Sequence, residues 1–386
     1  MKTIKTTEAL AEFCQQASTH PYVTVDTEFL RERTYYAQLC LIQLAYRGDG
    51  TEDAVLVDAL AQDLDLTPLY KLFRDDAVVK VFHAARQDLE IFYVDGGLVP
   101  TPLFDTQVAA MVCGFGEQVG YETLVRQICK TGLDKSSRFT DWSRRPLSDK
   151  QKTYALADVT HLRDIYEALD QQLKETGREA WVIEEMASLM DADNYVVTPS
   201  DAWRRVKTRS NSPRFLAVVH KLAALREELA QSRNVPRNRI FKDDVILELA
   251  ATRPTKLEDL GKSRLVQRDA RKGELAEMIV KAVQAAMDLP KEDLPVPPEQ
   301  RRRKQGHEGL TDLLRVLLKA RAGQEGVAQK LIATASELED LAEDGMDSHP
   351  ALKGWRRKVF GEDALRLRDG RIALSADGDS VKIVDL

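Results

Sequence analysis

The chain has 386 residues, a length typical of two or three domains. Hydrophobic residues make up 43% of it and charged residues 31%, which excludes a collagen-like, prion-like or wholly disordered protein. The formal net charge of −6 at pH 7 argues by itself against a nucleic-acid partner, so the distribution of charge along the chain also has to be considered.

The first 190 residues combine strand patterns with helix patterns. The apolar residues predict a helix over 64–74 and strands over 22–29 (YVTVDTEF), 38–46 (QLCLIQLAY), 54–58 and 77–82. After His83 the apolar spacing becomes helical, and from 104 to 174 it stays helical except in a polar, Arg-rich loop near 130–148. We therefore predict an α/β or α+β domain over residues 1–190, with α/β as the preferred class.

The rest of the chain is mainly helical in pattern. A polar boundary near 191–202 precedes helical spacing over 203–289, and a Pro-rich charged stretch at 290–298 indicates a semi-extended linker. Helical spacing returns over 307–343, and the turn sequences RDGR and ADGD, flanked by RIAL and VKIVDL, predict a closing β-hairpin. We expect a second domain over 203–289 and a third over 300–386.

A basic block runs from Trp203 to Lys242. It contains eleven Lys or Arg residues and only two acids, Glu227 and Glu228, which gives it a charge of +9 within an acidic chain. Because so few acids are available for i,i+4 pairing, the block is more typical of a nucleic-acid-binding surface than of a solvated helix face. Arg204 and Arg237 are candidate substrate contacts in this block.

Acidic residues recur in three predicted elements. Asp26 and Glu28 lie two positions apart on the first strand and so project from the same face. Asp88 lies near the start of the helix after the fourth strand, and Tyr154 and Asp158 share one face of a later helix. Each alone has a structural explanation, such as a solvated pair, a helix-dipole partner or a surface carboxylate. Together, the four carboxylates can converge on one site.

Such a site is suited to hard divalent cations, Mg²⁺ or Mn²⁺, because its ligands are all oxygens. Two ions about 3.5–4 Å apart clamp the attacking and leaving oxygens of an in-line phosphoryl displacement. Tyr154, one turn before Asp158, is placed to orient the attacking water. Its phenol would be a poor base, since an unperturbed tyrosine titrates at about 10.

Three segments resemble the exonuclease motifs of ribonuclease D, a family in the DEDD superfamily of 3′→5′ exonucleases that has Tyr in the third motif. They are DTEF at 26–29, HAARQDLEIF at 83–92 and YALADVTHL at 154–162. The segments LIQLA at 41–45 and DWSRRPL at 141–147 also resemble this family, and the basic block is similar to the start of an HRDC (helicase-and-RNase-D C-terminal) domain. The resemblance covers essentially the whole chain.

This resemblance implies a mixed, five-stranded RNase H-like sheet flanked by helices, followed by two small all-α HRDC-like domains and a C-terminal β-hairpin. It implies that Asp26, Glu28, Asp88 and Asp158 bind the metals and that Tyr154 assists the water. It also implies hydrolysis of RNA with a single-stranded 3′ end, including tRNA precursors and other small structured RNAs, with release of 5′-mononucleotides.

Other aromatic and basic side chains are candidates for substrate binding. Trp142 lies in the polar loop with Arg144, which favours base stacking by the indole and phosphate contacts by Arg144 and Lys135. Phe29 is a second candidate for stacking, but the period-two pattern favours a core position for it.

Two other functions remain open at this stage. A DNA 3′→5′ exonuclease would share every catalytic residue, because only contacts to a 2′-hydroxyl distinguish the two nucleic acids. A non-catalytic RNA-binding scaffold is disfavoured, since phosphate binding calls for cations rather than four converging acids.

The remaining patterns concern compartment and assembly. No apolar stretch approaches the roughly 20 residues of a membrane span, and no signal peptide is visible, so we expect a cytoplasmic protein without a membrane partner. The four cysteines have neither CxxC nor metal-ligand spacing and are expected to be free thiols. Without coiled-coil heptads, a monomer is expected.

Overall fold

A mixed β-sheet forms the centre of the amino-terminal part of the molecule. The computed structural model describes residues 2–48, 52–134, 137, 140–266, 271–296, 306–343 and 349–386. Within these residues the sheet has six strands in the order β1-β4-β3-β2-β5-β6. The strands are β1 (Lys2–Ile4), β2 (Tyr22–Leu30), β3 (Gln38–Tyr46), β4 (Ala54–Val57), β5 (Val79–Phe82) and β6 (Leu103–Asp105).

The sheet has one more strand than the five that the resemblance implies. Strand β1 pairs in parallel with β4, whereas β2 pairs antiparallel with β3 and in parallel with β5. Both β1 and β6 have only three residues, which is too short for a period-two pattern to show in the sequence. The four strands that the pattern does predict are all present, within about two residues of their expected bounds.

Helices cover both faces of the sheet. One hydrophobic cluster packs against the first three helices, and another lies between β3, β4 and the long helix α6. A π-helical turn, Val125–Cys129, follows the fifth helix. The helices of this part are α1 (Thr7–Ala17), α2 (Thr67–Phe73), α3 (Arg86–Gly96), α4 (Thr106–Val112), α5 (Tyr121–Leu124), α6 (Asp149–Thr176) and α7 (Glu179–Met190).

Helix α6 is 28 residues long, and its sequence explains both of its ends. Ser148 caps the first turn in a capping box with Gln151. The helix stops at Gly177, which adopts a left-handed conformation with φ of 67°. Between these ends, Leu156 and Val159 pack in the cluster above β3 and β4. The helix is therefore fixed along the sheet, and its side chains hold defined positions over β2.

The middle of the chain is all helical, as the sequence predicts, and has its own hydrophobic cluster. Short 3₁₀ segments, Ala192–Asn194 and Pro199–Arg205, lead into it. Another, Lys291–Asp293, lies at the start of the predicted Pro-rich linker, of which residues 297 and 298 lie outside the described part. The helices are α8 (Pro213–Ser232), α9 (Arg237–Ile240), α10 (Asp243–Thr252), α11 (Leu257–Leu260) and α12 (Glu274–Met287).

The last part forms a further helical cluster closed by a β-hairpin. The predicted hairpin is confirmed, since β7 (Ile372–Asp377) pairs antiparallel with β8 (Ser380–Asp385). A 3₁₀ segment (Pro350–Leu352) and a π-helical turn (Arg357–Gly361) also occur here. The helices are α13 (Glu308–Glu325), α14 (Gln329–Ile332), α15 (Ala335–Glu343), α16 (Gly354–Arg356) and α17 (Glu362–Arg368).

Both helical parts contact the amino-terminal part. The indole of Trp355 stacks on that of Trp181 in α7 at 4.5 Å, and Arg356 forms an ion pair with Glu185 at 2.6 Å. On the other side, the backbone N–H groups of Tyr35 and Tyr36 donate to the side-chain oxygen of Asn234. None of the described helices is both long enough and apolar enough to cross a membrane.

Candidate active site

Strand β2 brings two carboxylates to the edge of the cavity. Its pairing with β5 ends at Thr24, so beyond Thr24 none of the described strands lies on that side. Asp26 and Glu28 follow at alternate positions and project from the same face. Because β5 ends early, no strand covers the sheet edge beside these two carboxylates within the described part of the chain.

Helix α6 supplies the side chains opposite this strand. Tyr154 and Asp158 lie one turn apart on α6, and the Tyr154 hydroxyl forms a hydrogen bond with Asp158. Carboxylate oxygens of Asp26, Glu28 and Asp158 lie within 4.8 Å of one another. These three carboxylates, of Asp26, Glu28 and Asp158, form what we call the acidic cluster.

Asp88 reaches the same cavity from the first turn of α3. Its side chain is 7% exposed and accepts a short hydrogen bond from the hydroxyl of Thr27 on β2. The turn before α3 contains Ala84 with φ of 57°, and the Asp105 carboxylate accepts from the backbone N–H groups of Ala84 and Ala85 at 3.0 and 2.8 Å. Asp105 thereby holds the turn that sets the position of Asp88.

The electrostatics of the cluster favour a bound cation. Burial raises the pKa of Asp26 to about 6. Burial, followed by the neighbouring Asp26 carboxylate, raises the pKa of Asp88 well above its usual range. Like charges held close together out of water are costly unless a cation compensates for them. A set of carboxylate oxygens fits a hard divalent ion, so these residues are suited to hold one.

The Tyr154 phenol stays protonated in this surrounding. Burial raises its pKa far above the ordinary value, and the Asp158, Glu28 and Asp26 carboxylates raise it further. A protonated phenol donates a hydrogen bond but does not accept a proton. The hydroxyl is therefore suited to orienting a water molecule rather than acting as a base.

The cavity around these groups has a volume of about 710 Å³. Phe29 lines it and is half-buried, so the core position that the pattern favours for Phe29 is wrong. The strand register shifts between Glu28 and Phe29, which is an irregularity that strict alternation does not anticipate. The cavity is also lined by Gln107 and Tyr121, which the sequence does not predict because neither belongs to a periodic acidic motif.

Tyr121, the first residue of α5, supports the acidic cluster by bonding to the backbone of α6. Its hydroxyl donates to the backbone carbonyl of Asp158 at 2.7 Å and lies 3.1 Å from that of Ala157. Burial raises the pKa of this phenol well above its usual value, so it remains a donor. His83 also lines the cavity, and its Nδ1 lies 3.0 Å from the Thr106 hydroxyl.

The prediction that Trp142 offers a stacking surface is wrong. Its side chain is 2% exposed and packs in the cluster between α6 and the sheet, with its ring 6.1 Å from that of Tyr154. The neighbouring Arg145 explains the burial: its guanidinium pairs with the buried Asp58 at 2.6 Å and donates to the Trp142 carbonyl at 2.7 Å. The polar residues around Trp142 thus anchor it inward.

Two other predicted substrate contacts, Arg144 and Arg204, lie outside the lining of the cavity. Arg144 is largely exposed beside Asp141, and Arg204 is exposed beside Asp201. Lys135 lies outside the described residues.

Arg237 has a structural partner instead of a free head group. It donates two hydrogen bonds, each of 2.5 Å, to the carboxylate of Glu227, which is fully buried. It also donates to the Tyr35 hydroxyl at 3.0 Å and lies over the Tyr35 ring. The Arg237 guanidinium is thus already paired with a buried charge, and its role as a substrate contact stays a prediction.

Comparisons with known proteins agree with this geometry. Residues 1–174 match the family model for a 3′–5′ exonuclease, and residues 215–283 match that for the HRDC domain. A ribonuclease D of Jannaschia sp. (strain CCS1) is 62% identical, covering 100% of this chain and 99% of that protein. A ribonuclease D of Acidiphilium cryptum (strain JF-5) is 49% identical, covering 99% and 97% respectively.

A solved structure extends the agreement to three dimensions. The crystal structure of Escherichia coli RNase D, described as an exoribonuclease involved in structured RNA processing, has a TM-score of 0.82 and 30% identity, covering 96% of this chain and 98% of that one. An RNase H-like sheet with an acidic cluster, followed by an HRDC domain, defines a 3′→5′ exonuclease. The chain belongs to the ribonuclease D family of 3′→5′ exoribonucleases, which confirms the resemblance found in the sequence.

Proposed function

We propose that this enzyme trims single-stranded 3′ ends of RNA one nucleotide at a time by two-metal-ion hydrolysis, releasing 5′-mononucleotides. The convergence of Asp26, Glu28 and Asp158 within 4.8 Å carries this proposal, with Asp88 in the same cavity. We further propose tRNA precursors and other small structured RNAs as substrates. That extension is supported by the likeness to the Escherichia coli enzyme, described as acting in structured RNA processing.

The four carboxylates, Asp26, Glu28, Asp88 and Asp158, would hold two divalent cations, Mg²⁺ or Mn²⁺. When bound, such ions supply a water nucleophile at neutral pH and stabilise the charge that develops on the phosphoryl oxygens. The carboxylates themselves compensate the cationic charge and fix where the phosphate can lie. Thr27 and Asp105 keep Asp88 in position through the hydrogen bonds described above.

The remaining cavity side chains would position the substrate. Tyr154 donates its one hydroxyl proton to Asp158, so its oxygen can accept a hydrogen bond from the attacking water and orient it. Phe29 offers an apolar ring at the cavity edge, where a terminal base can stack. The cavity volume of about 710 Å³ lies within the range of sites that hold a small ligand, which is compatible with one terminal nucleotide.

The basic block of the middle part would bind RNA away from the reaction. We propose that residues 1–190 form the catalytic domain, 203–289 an HRDC domain and 300–386 a second HRDC-like domain with the hairpin. Three hydrophobic clusters, one for each of these parts, support this division. Exposed cations of the basic block, including Arg204, Lys207 and Arg209, offer phosphate contacts. Four free cysteines support a reducing compartment such as the cytoplasm, and we propose a monomer.

The test is digestion of 5′-labelled single-stranded RNA with Mg²⁺ or with EDTA. We expect a ladder that shortens from the 3′ end, 5′-mononucleotides as the product, and no product in EDTA. Asp158→Asn should abolish turnover and retain RNA binding, whereas Asp149→Asn, an exposed carboxylate on the same helix, should leave turnover unchanged.

Three results would contradict the proposal. Near-normal hydrolysis by Asp158→Asn would remove this carboxylate from the mechanism. Equal degradation of DNA of the same sequence would favour the DNA exonuclease, since the residues for phosphoryl transfer are shared. RNA binding without any hydrolysis in Mg²⁺ or Mn²⁺ would favour the non-catalytic scaffold.

A further inference from the structure

A second group of metal-ligand side chains lies between the π-helical turn and α6. It contains Cys129 at the end of the π-helical turn, and His161 and Asp164 on α6. One donor atom from each residue lies within 4.8 Å of the other two. His161 and Asp164 are three residues apart and so share a helix face. The sequence does not reveal this group, because Cys129 and His161 are 32 positions apart.

The donors differ in kind from those of the acidic cluster. A thiol, an imidazole and a carboxylate are the usual protein ligands of zinc, whereas Mg²⁺ prefers oxygen alone. Zinc bond lengths of about 2.0–2.3 Å place tetrahedral donors about 3.5 Å apart. Since the three donors are already within 4.8 Å, side-chain movements of about 1 Å suffice to reach that spacing. Exposed Asp164 leaves room for a water as the fourth ligand.

We propose that Cys129, His161 and Asp164 form a Zn²⁺ site that is distinct from the catalytic carboxylates. On binding, the Cys129 S–H bond breaks, a sulfur–zinc bond forms and the proton passes to the solvent. A metal ion supplies the positive charge that the thiolate otherwise lacks.

The site would tie the π-helical turn to the helix that carries Asp158. Cys129 already donates weakly from its sulfur to the His161 carbonyl at 3.8 Å. Tyr121, four residues before the π-helical turn, bonds the carbonyl of Asp158. A metal between Cys129 and α6 would add a second link between the segment 121–129 and α6, one turn further along α6. We expect zinc to raise the melting temperature of the protein.

The experiment uses the full chain carrying Asp26→Asn and Asp158→Asn, which removes the carboxylate site from the measurement. Titration with Co²⁺, a spectroscopic substitute for Zn²⁺, should produce a thiolate-to-cobalt charge-transfer band at one equivalent of metal. Cys129→Ser should abolish the band. Cys113→Ser, a control at another half-buried cysteine, should retain it. Absence of the band, or its survival in Cys129→Ser, would overturn the proposal.

A second variant keeps the test informative if Cys129→Ser does not fold. Asp164 is exposed, so Asp164→Asn should fold normally, as judged by its melting temperature without metal. Its Zn²⁺ affinity, measured by equilibrium dialysis, should fall at least roughly tenfold, since even outer-shell changes cost that much. Zn²⁺ affinity equal to that of the parent chain would overturn the assignment of Asp164 and with it the three-ligand site.

Discussion

The Tyr35 hydroxyl donates a hydrogen bond to the carboxylate of Glu227, 192 positions further along the chain. Tyr35 lies in the loop between β2 and β3, and Glu227 is fully buried in α8. Arg237 completes the group by donating to both residues. A loop that leads directly from Asp26 and Glu28 is thus held by the first helix of the basic middle part.

The first prediction concerns Arg237. Arg237→Ala leaves the Glu227 carboxylate buried without its cation, which should cost about 2–3 kcal/mol of unfolding free energy. Thermal or urea unfolding measures this loss. Arg239→Ala, an exposed neighbour, should keep its stability within about 0.5 kcal/mol and so serves as the control. If Arg237→Ala instead leaves stability unchanged and weakens RNA binding, the result would support the prediction that Arg237 contacts the substrate.

The second prediction concerns Asp88 in metal-free protein. Its pKa is raised in the folded state, so the folded protein holds its proton to higher pH than the unfolded chain does. Ionisation of Asp88 therefore costs stability, and this cost grows as the pH rises above the unfolded value of about 4. Asp88→Asn should therefore raise the melting temperature of the protein in EDTA at pH 8, because the neutral amide does not pay the cost of ionisation.

Two measurements control this prediction for Asp88. At pH 4 the gain should nearly vanish, because the carboxyl is then protonated in the folded state. In excess Mg²⁺ the order should reverse, since the variant lacks one metal ligand. A melting temperature for Asp88→Asn below that of the parent chain in EDTA at pH 8 would contradict the expected electrostatic strain.

The third prediction concerns Tyr154. Tyr154→Phe removes the hydroxyl that orients the water but keeps the ring that packs near Trp142. We expect kcat to fall roughly ten- to a hundredfold, the scale of misplacing a reacting group, while KM and the melting temperature stay close to those of the parent. Single-turnover digestion measures the chemical step. Complete loss of activity would mean that the Tyr154 hydroxyl does more than orient the attacking water.

The fourth prediction concerns the exposed cations Arg204, Lys207 and Arg209. Replacing all three by Gln in the Asp158→Asn background should reduce the salt dependence of RNA binding. The log–log slope should fall by about 0.7 for each phosphate that the variant no longer binds, or about 2 in total. Fluorescence anisotropy over a series of salt concentrations measures the slope.

The matched control for this triple variant removes three positive charges from the carboxyl-terminal part, at Arg357, Lys358 and Lys382, which are also exposed. Its slope should stay close to that of the parent. An equal reduction in both triple variants would show a general charge effect and would exclude a localised RNA-binding surface on the middle part.

Periodicity in the sequence predicts the two local pairs of the acidic cluster. Alternation on β2 puts Asp26 and Glu28 on one face, and helical spacing puts Tyr154 beside Asp158. The contacts that hold the cluster are not predictable in this way. Thr27 bonds to Asp88 itself, and Asp105 bonds to the turn before α3. No local pattern encodes a hydrogen bond such as that between Thr27 and Asp88, which are 61 positions apart.

Two predicted substrate contacts share a physical feature that the sequence does not show. Trp142 and Arg237 both lie in polar, basic stretches, where composition indicates exposure. Each is instead drawn inward by one buried carboxylate, through the Arg145–Asp58 pair in one case and directly by Glu227 in the other. A charged side chain shows its type in the sequence but not its partner, so composition cannot separate an ion pair from a binding surface.

The regular spacing of side chains along α6 also limits which insertions and deletions this protein can tolerate. Each inserted residue rotates everything beyond it by about 100° around the helix axis. One extra residue between Tyr154 and Asp158 would point one of them away from the cavity, and Leu156 and Val159 could not both keep their places against the sheet. Substitutions along α6 can be absorbed locally, whereas a single-codon insertion or deletion there would move the acidic cluster and the hydrophobic contacts out of register together.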